Sequence, residues 1–107
     1  MRVLLDECVD WRLARDIRGH EVKTARQMRW NAISNGELLA LTSKHFDCFL
    51  TVDQNLAYQQ PPGSVPIAVF VLKAHTNRLA DLKPLVPKLL TALRSPLSRT
   101  ITVIEGD

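Results

Sequence analysis

Apolar and polar residues succeed one another along the chain in a pattern that predicts strands and helices in alternation. Short runs of Val, Leu, Ile and Phe between polar residues favour strands, whereas apolar residues three or four apart favour helices. The clearest run, residues 67–72, is apolar throughout, which predicts a strand buried on both faces. The predicted strands are residues 2–5, 21–25, 48–52, 67–72 and 100–104.

Helical spacing and helix-ending residues mark three further segments. Gly19 follows the first helical pattern as a stop, and Asn35 precedes the second as an N-cap. Pro84 and Pro87 lie inside the third pattern, so we expect its first turn to be separate and the main helix to begin near Pro84. The predicted helices are residues 9–18, 36–46 and 77–94, with a short helical turn over residues 53–60.

This order of elements predicts an α/β fold. Strands that alternate with helices form a mostly parallel sheet with helices on both faces. We therefore expect a three-layer α/β/α sandwich with a mostly parallel central sheet of four to five strands. The length of 107 residues suits a single domain, residues 1–107, with one core. In such sheets a site forms outside the carboxyl ends of the strands, where the strand order switches.

Composition narrows the classes of protein to which the chain can belong. It carries 14 Lys and Arg against 11 Asp and Glu, a formal net charge of +3. Two cysteines are too few for a disulfide scaffold, which indicates a reducing, cytoplasmic compartment. We expect neither a membrane span, which needs roughly 18–20 apolar residues, nor a secretory leader. An enzyme, a nucleic-acid binder and a partner-binding module all stay open.

Acidic residues follow two of the predicted strands. Asp6 and Glu7 come directly after the first strand, and Asp53 comes directly after the third. Glu37, at the start of the second helix, leads towards the same edge of the sheet. Carboxylates that converge in this way repel one another unless a cation or a proton intervenes, and their oxygens suit Mg²⁺ or Mn²⁺. The alternative, that each acid caps the helix or turn after it, is equally compatible with the spacing.

Three motifs resemble a known family. The segments LLDE (residues 4–7), NGELL (35–39) and LTVDQNL (50–56) are together similar to the PIN-like family of unknown function, a compact relative of the PIN-domain ribonucleases and of toxin–antitoxin toxins. The resemblance runs from Met1 to about Leu93. It implies a bacterial, Mg²⁺- or Mn²⁺-dependent ribonuclease, the toxin of a toxin–antitoxin pair. The acids that would bind metal and hydrolyse RNA match Asp6, Glu37 and Asp53.

Neighbouring residues complete the predicted site. Glu7 is the nearest candidate for a further metal ligand, and Arg12, about one turn past Asp6, suits a phosphate. The implied partners are RNA and a cognate antitoxin protein, with no membrane. The candidates for substrate contact are Arg12, Asn35, Gln54 and Asn55, with Arg26 and Arg29 as further phosphate partners.

Two alternatives stay open beside the ribonuclease. Asn35 stands where related sequences carry an acid, and no fourth carboxylate beyond Glu7 is evident, so a non-catalytic module that binds RNA or a protein is the second class. The third is a receiver-like phosphoacceptor domain, in which Asp53 would accept the phosphoryl group and Lys73 would supply the lysine.

Two apolar features carry further expectations. Trp11 and Trp30 flank the predicted acidic edge, either as stacking platforms for single-stranded RNA or as core residues. The leucines of residues 79–93 exceed what one core face needs, which suggests a homodimer through that helix.

Overall fold

A five-stranded parallel sheet forms the centre of the computed structural model, which describes residues 1–55 and 65–106. The strands are β1 (Arg2–Leu5), β2 (Glu21–Thr24), β3 (Cys48–Thr51), β4 (Ala68–Lys73) and β5 (Ile101–Glu105). Every neighbouring pair is parallel, and the order across the sheet is β2-β1-β3-β4-β5. The predicted α/β fold is confirmed, and each strand lies within one residue of its predicted bounds.

Short helices connect the strands of the described segments. They are a 3₁₀ helix (Trp11–Asp16), α1 (Asn35–His45), α2 (Leu79–Leu82), a second 3₁₀ helix (Lys83–Leu85) and α3 (Val86–Arg94). The last three form one interrupted segment, as the prolines predict. Pro84 lies in the 3₁₀ helix, and Pro87 lies in the first turn of α3, where a missing N–H costs no helical bond. None of these helices is long and apolar enough to cross a membrane.

The predicted α-helix over residues 9–18 is wrong. Only Trp11–Asp16 is helical, and its form is 3₁₀, as in the bond from Leu13 N–H to Asp10 C=O (3.0 Å). Val9, Leu13 and Ile17, the apolar residues four apart, are all buried, although only Leu13 lies within the 3₁₀ helix, so their burial did not require an α-helix. Gly19, the predicted stop, adopts φ +84° shortly after the helix ends.

Helix α1 is capped by Ser34 and not, as predicted, by Asn35. Ser34 has an extended backbone and accepts a hydrogen bond from Glu37 N–H at its Oγ (3.3 Å). Asn35 is the first helical residue. Ser34 and Glu37 have the Ser-x-x-Glu spacing of a capping box, so the sequence contained the signal for this boundary.

Two hydrophobic clusters divide the core between the faces of the sheet. Along β1, Val3 and Leu5 belong to one cluster and Leu4 to the other, because successive side chains of a strand point to opposite faces. The first cluster includes buried residues of α3, whereas the second includes those of α1. Several of the leucines that suggested a homodimer are buried in the first hydrophobic cluster of the chain itself: Leu82, Leu85, Leu89 and Leu93. The homodimer stays a prediction.

Candidate functional site

The strand order has a switch point between β1 and β3. From β1 the chain passes to β2 on one side, and β3 lies on the other side. Leu5 pairs with Leu50, and Asp6 N–H continues the ladder by donating to Leu50 C=O (2.9 Å). Asp6 and Thr51 therefore lie next to each other where the two strands end. Parallel α/β sheets bind their ligands in the crevice at such a point.

Thr51, which the sequence alone did not single out, links the two predicted aspartates. It is fully buried, and its Oγ1 donates to Asp6 Oδ2 (2.8 Å). Thr51 Oγ1 also accepts a hydrogen bond from the backbone N–H of Asp53 (3.0 Å). Asp6, Thr51 and Asp53 thus form one hydrogen-bonded unit, which we call the acidic edge. A threonine as the last residue of an otherwise apolar strand was the signal for its role.

Cys8 and Glu7 supply further donors to Asp6. Cys8 Sγ lies 3.3 Å from Asp6 Oδ2 and 3.4 Å from Thr51 Oγ1, and Glu7 N–H donates to Asp6 Oδ1 (2.9 Å). Partial burial of the sulfur, with a contribution from the Asp6 charge, raises the pKa of the Cys8 thiol. A protonated thiol donates a hydrogen bond and is a poor nucleophile. Cys8 and Cys48 are both free thiols.

Asp53 begins a turn at the end of β3. Its Oδ1 accepts a hydrogen bond from Asn55 N–H (2.9 Å), the pattern of an Asx turn. This is the capping role that the spacing left open for Asp53, and the residue belongs to the acidic edge as well. Gln54 and Asn55 are exposed. Most of the helical turn predicted over residues 53–60 lies outside the described residues.

Glu37 does not join the acidic edge. It is exposed in the first turn of α1, and Asn35 is half-buried at the start of that helix. Within residues 1–55 and 65–106, no three His, Cys, Asp or Glu side chains come together as a group that could hold a metal ion. The structure brings Asp6 and Asp53 together, and a metal site that also includes Glu37 and Glu7 stays a prediction.

Arg12, the predicted phosphate contact, is paired with Asp10. Its Nε and Nη2 donate to Asp10 Oδ1 (3.0 Å) and Oδ2 (2.7 Å), and its backbone N–H donates to Oδ1 (3.0 Å). Asp10 therefore caps the first 3₁₀ helix, a role that the spacing left open for Asp6 or Glu7. The hydrogen bonds from Arg12 lower the pKa of Asp10 to about 2 and raise the pKa of Arg12. Asp10 already neutralises the guanidinium that a phosphate would meet.

A cleft of about 580 Å³ opens beside the acidic edge, between the first 3₁₀ helix and the end of β2. Asp6 and Glu7 line the side near β1, and Trp11 lines the side near the helix. We call it the Trp11 cleft. The spacing of residues 26–34 predicted only a loop. It gave no sign that this loop would help to line the Trp11 cleft. Polar residues from β2 and the loop after it line the cleft as well: Thr24, Arg26, Gln27 and Asn31. Apolar residues make up the rest of the lining: Val9, Ala14 and Val22.

The two tryptophans have different surroundings. Trp11 is 58% exposed, and the Arg15 guanidinium lies 5.1 Å from its ring centroid. Trp30 is half-buried and packs edge-on against Phe46, with 5.9 Å between ring centroids, and its ring lies 5.8 Å from that of His45. His45 and Phe46 precede β3, at the other end of the sheet. Trp30 therefore takes the core alternative, since its ring packs against the second hydrophobic cluster, whereas Trp11 lines the cleft beside the acidic edge.

The chain has no match among known proteins: no family model, curated protein or solved structure matches it. The PIN-like resemblance therefore rests on the three motifs of the sequence, and the function must be argued from the acidic edge and the Trp11 cleft.

Proposed function

We propose that the protein is a Mg²⁺- or Mn²⁺-dependent ribonuclease built as a three-layer, PIN-like α/β/α domain. One observation carries the proposal: Thr51 ties Asp6 to Asp53 at the β1/β3 switch point, through hydrogen bonds of 2.8 and 3.0 Å. Two acidic residues that are distant in the sequence, Asp6 through its carboxylate and Asp53 through its backbone N–H, thereby share one hydroxyl at the position where parallel sheets bind ligands. The two hydrophobic clusters on opposite faces support the three layers.

The acidic edge suits one hydrated divalent cation. Asp6 and Asp53 offer hard oxygen donors, and Mg²⁺ is commonly held by one or two carboxylates, with waters and substrate phosphates completing its octahedron. Such a cation supplies charge stabilisation for a phosphodiester and lowers the pKa of a bound water. Glu37 stands apart from the pair, so the proposal gives it a capping role at the start of α1 and leaves metal binding to the two aspartates.

The residues around the pair have definite tasks in this proposal. Thr51 and Cys8 donate to Asp6 Oδ2 and fix the direction of that carboxylate. Arg26, which lines the Trp11 cleft together with Asp6, supplies a positive charge for a substrate phosphate. Arg12 instead holds the first 3₁₀ helix through Asp10.

Cleavage of single-stranded RNA tests the proposal. We expect Mn²⁺-dependent cleavage that is lost in Asp6→Asn and Asp53→Asn and retained in Glu21→Gln. Glu21 is a matched control because it is an exposed carboxylate at the start of β2, at the opposite end of the sheet. Cleavage that persists in both aspartate variants, or that is absent with every divalent cation tried, would refute the ribonuclease.

The toxin role and the antitoxin partner are tested in cells. We expect induced expression of the wild type to arrest bacterial growth, and Asp53→Asn, at equal protein levels, to leave growth unaffected. Growth arrest by the variant would contradict a toxin that acts through RNA cleavage.

The strand order favours one alternative specifically. The order β2-β1-β3-β4-β5 is the flavodoxin-like order that receiver domains share, with Asp53 following β3. Against it, Lys73 ends β4 and lies 3.9 Å from Glu105 at the end of β5. Incubation with a small phosphodonor and Mg²⁺, followed by mass spectrometry, distinguishes the receiver-like function from the ribonuclease. A phosphoryl adduct on Asp53 would establish the receiver-like function.

A further inference from the structure

We propose that the Trp11 cleft binds one unpaired nucleobase of a single-stranded nucleic acid, with the base stacked on the Trp11 indole. The cleft volume of about 580 Å³ falls in the range of small-molecule sites, on the order of 300–1,000 Å³. The proposal rests on the proposed function only in taking a nucleic acid as the substrate. Its observations are the exposed indole, an amide of fixed orientation and the position of the cleft beside Asp6.

The Trp11 ring is held in place although it is exposed. Its 58% exposure is high for an indole, which a stable monomer ordinarily buries. The Arg15 guanidinium lies 5.1 Å from the ring centroid, a cation–π distance, and Trp11 and Arg15 share one 3₁₀ helix. An exposed aromatic ring that is fixed at the wall of a cleft is a platform on which a base of any sequence can stack.

One hydrogen bond orients the Gln27 side-chain amide, and a reciprocal bond from the Gln27 backbone holds the residue beside Thr24. Gln27 Oε1 accepts from Thr24 N–H (2.9 Å), and Thr24 Oγ1 accepts from Gln27 N–H (3.0 Å). Because a backbone N–H must meet the amide oxygen, the identity of the two amide atoms is not in question. The Nε2 group of Gln27 is therefore the part of the amide that donates to another partner.

The polar lining of the cleft contains both donors and acceptors. Gln27 Nε2 and the Arg26 guanidinium donate, the Glu7 carboxylate accepts, and the Asn31 amide does both. The edge of a nucleobase presents donors and acceptors side by side, and this edge is free only when the base is unpaired. A flat ring whose edge carries both donors and acceptors therefore matches the lining better than a peptide does, since a peptide would need an extended groove.

The cleft also lies where a base would assist the acidic edge. Asp6 lines the cleft and belongs to the acidic edge, so a base stacked on Trp11 brings its own or a neighbouring phosphate towards Asp6 and Asp53. The cleft would then favour a single-stranded substrate over a duplex, because only an unpaired base can enter it.

Quenching of the Trp11 fluorescence tests the inference directly. Trp11 and Trp30 are the only two tryptophans of the chain, so the Trp30→Phe variant reports on Trp11 alone. In EDTA, a short single-stranded RNA of mixed sequence should quench this signal saturably, and the same RNA annealed to its complement should not. In an anisotropy titration, Trp11→Ala should weaken binding about 10-fold, and Gln27→Ala should weaken it as well. Trp11→Phe should retain most of the affinity, because it preserves an aromatic ring.

The possible results separate the base site from the ribonuclease. Quenching by RNA that survives in a Trp30→Phe/Asp53→Asn variant supports the base site whether or not the protein cleaves RNA, because Asp53 is outside the cleft lining. Binding that is equal in the wild type and Trp11→Ala, or quenching that is equal with duplex, overturns it. Stronger quenching by an unstructured peptide of mixed sequence than by RNA would also overturn it and would indicate a protein-docking site.

Discussion

Replacement of Thr51 by Val removes the hydroxyl that joins Asp6 to Asp53. Val has the same branched shape as Thr, so in this fully buried position the substitution mainly removes the hydrogen bonds of the hydroxyl. It deprives the Asp6 carboxylate of a 2.8 Å donor and the Asp53 N–H of its 3.0 Å acceptor. A hydrogen bond to a charged group contributes about 1.5–3 kcal/mol, and an unsatisfied buried donor costs about 1–3 kcal/mol.

The expected loss of stability is about 2 kcal/mol, since Asp6 and Asp53 are half-buried and water can replace part of what is lost. For 107 residues the entropy of unfolding at the midpoint is about 0.2 kcal/mol/K, so Tm falls by roughly 9 °C. Thermal unfolding followed by circular dichroism measures the shift. We expect RNA cleavage to fall as well, because the Asp6 carboxylate loses its fixed direction.

Thr42→Val is the matched control for this experiment. Thr42 is also fully buried, and its Oγ1 donates to Leu38 C=O (2.6 Å). That carbonyl lies one turn earlier in α1 and is satisfied by the helix itself, so the substitution leaves no group without a partner. Its expected cost is below about 1 kcal/mol. Equal Tm values for Thr51→Val and Thr42→Val would refute the argument that the Thr51 hydroxyl holds the acidic edge together.

Three further predictions concern a charge pair, a helix cap and a thiol. Because hydrogen bonds from Arg12 hold the pKa of Asp10 at about 2, below its ordinary 3.8, the stability they contribute is complete above pH 4 and is lost as the pH falls towards 2. Melting curves should therefore fall more steeply between pH 4 and 2 for the wild type than for Asp10→Asn, and equal slopes would contradict this. Ser34→Ala should cost about 1 kcal/mol by removing the cap of α1, whereas Ser43→Ala, within the same helix, should be neutral or slightly stabilising in denaturant titrations. Since burial raises the pKa of Cys8, iodoacetamide at pH 7.5 should label it more slowly than free cysteine, as followed by mass spectrometry; labelling at the rate of free cysteine would show the thiol to be unperturbed.

The sheet could be predicted from the sequence because its strands are short apolar runs with polar ends. The residues after β1 and β3 could be predicted to meet for the same reason, since parallel strands end at one edge. The sequence could not distinguish the roles of the acids. Asp6 and Asp53 join the acidic edge, and Glu37 lies in a capping-box position. Asp10 caps the first 3₁₀ helix, a role that the spacing had left open for Asp6 or Glu7.

The Trp11 cleft could not be predicted from periodicity. Its walls combine the residues that follow β1, a 3₁₀ helix, β2 and an irregular loop, and reciprocal bonds join the start of that loop to Thr24 at the end of β2. Two residues of the same loop segment, Arg29 and Ala32, adopt positive φ angles of 61° and 68°, which hydrophobic patterning does not reveal. The packing of Trp30, a residue of this loop, against the second hydrophobic cluster likewise depends on the path of the loop.

The parallel pairing of β1 with β3 determines when in folding the acidic edge can appear. The bond between Asp6 and Thr51 spans 45 residues of sequence, and all strand pairs of the described residues are parallel, so none of these pairs is a local hairpin. Contacts of such separation must close a long loop before they contribute stability, so they form late and slowly. A chain that has formed only its local helices has no Asp6–Asp53 pair, and its two carboxylates remain apart in solvent. A newly made chain would therefore acquire any activity of this site only on completing its fold.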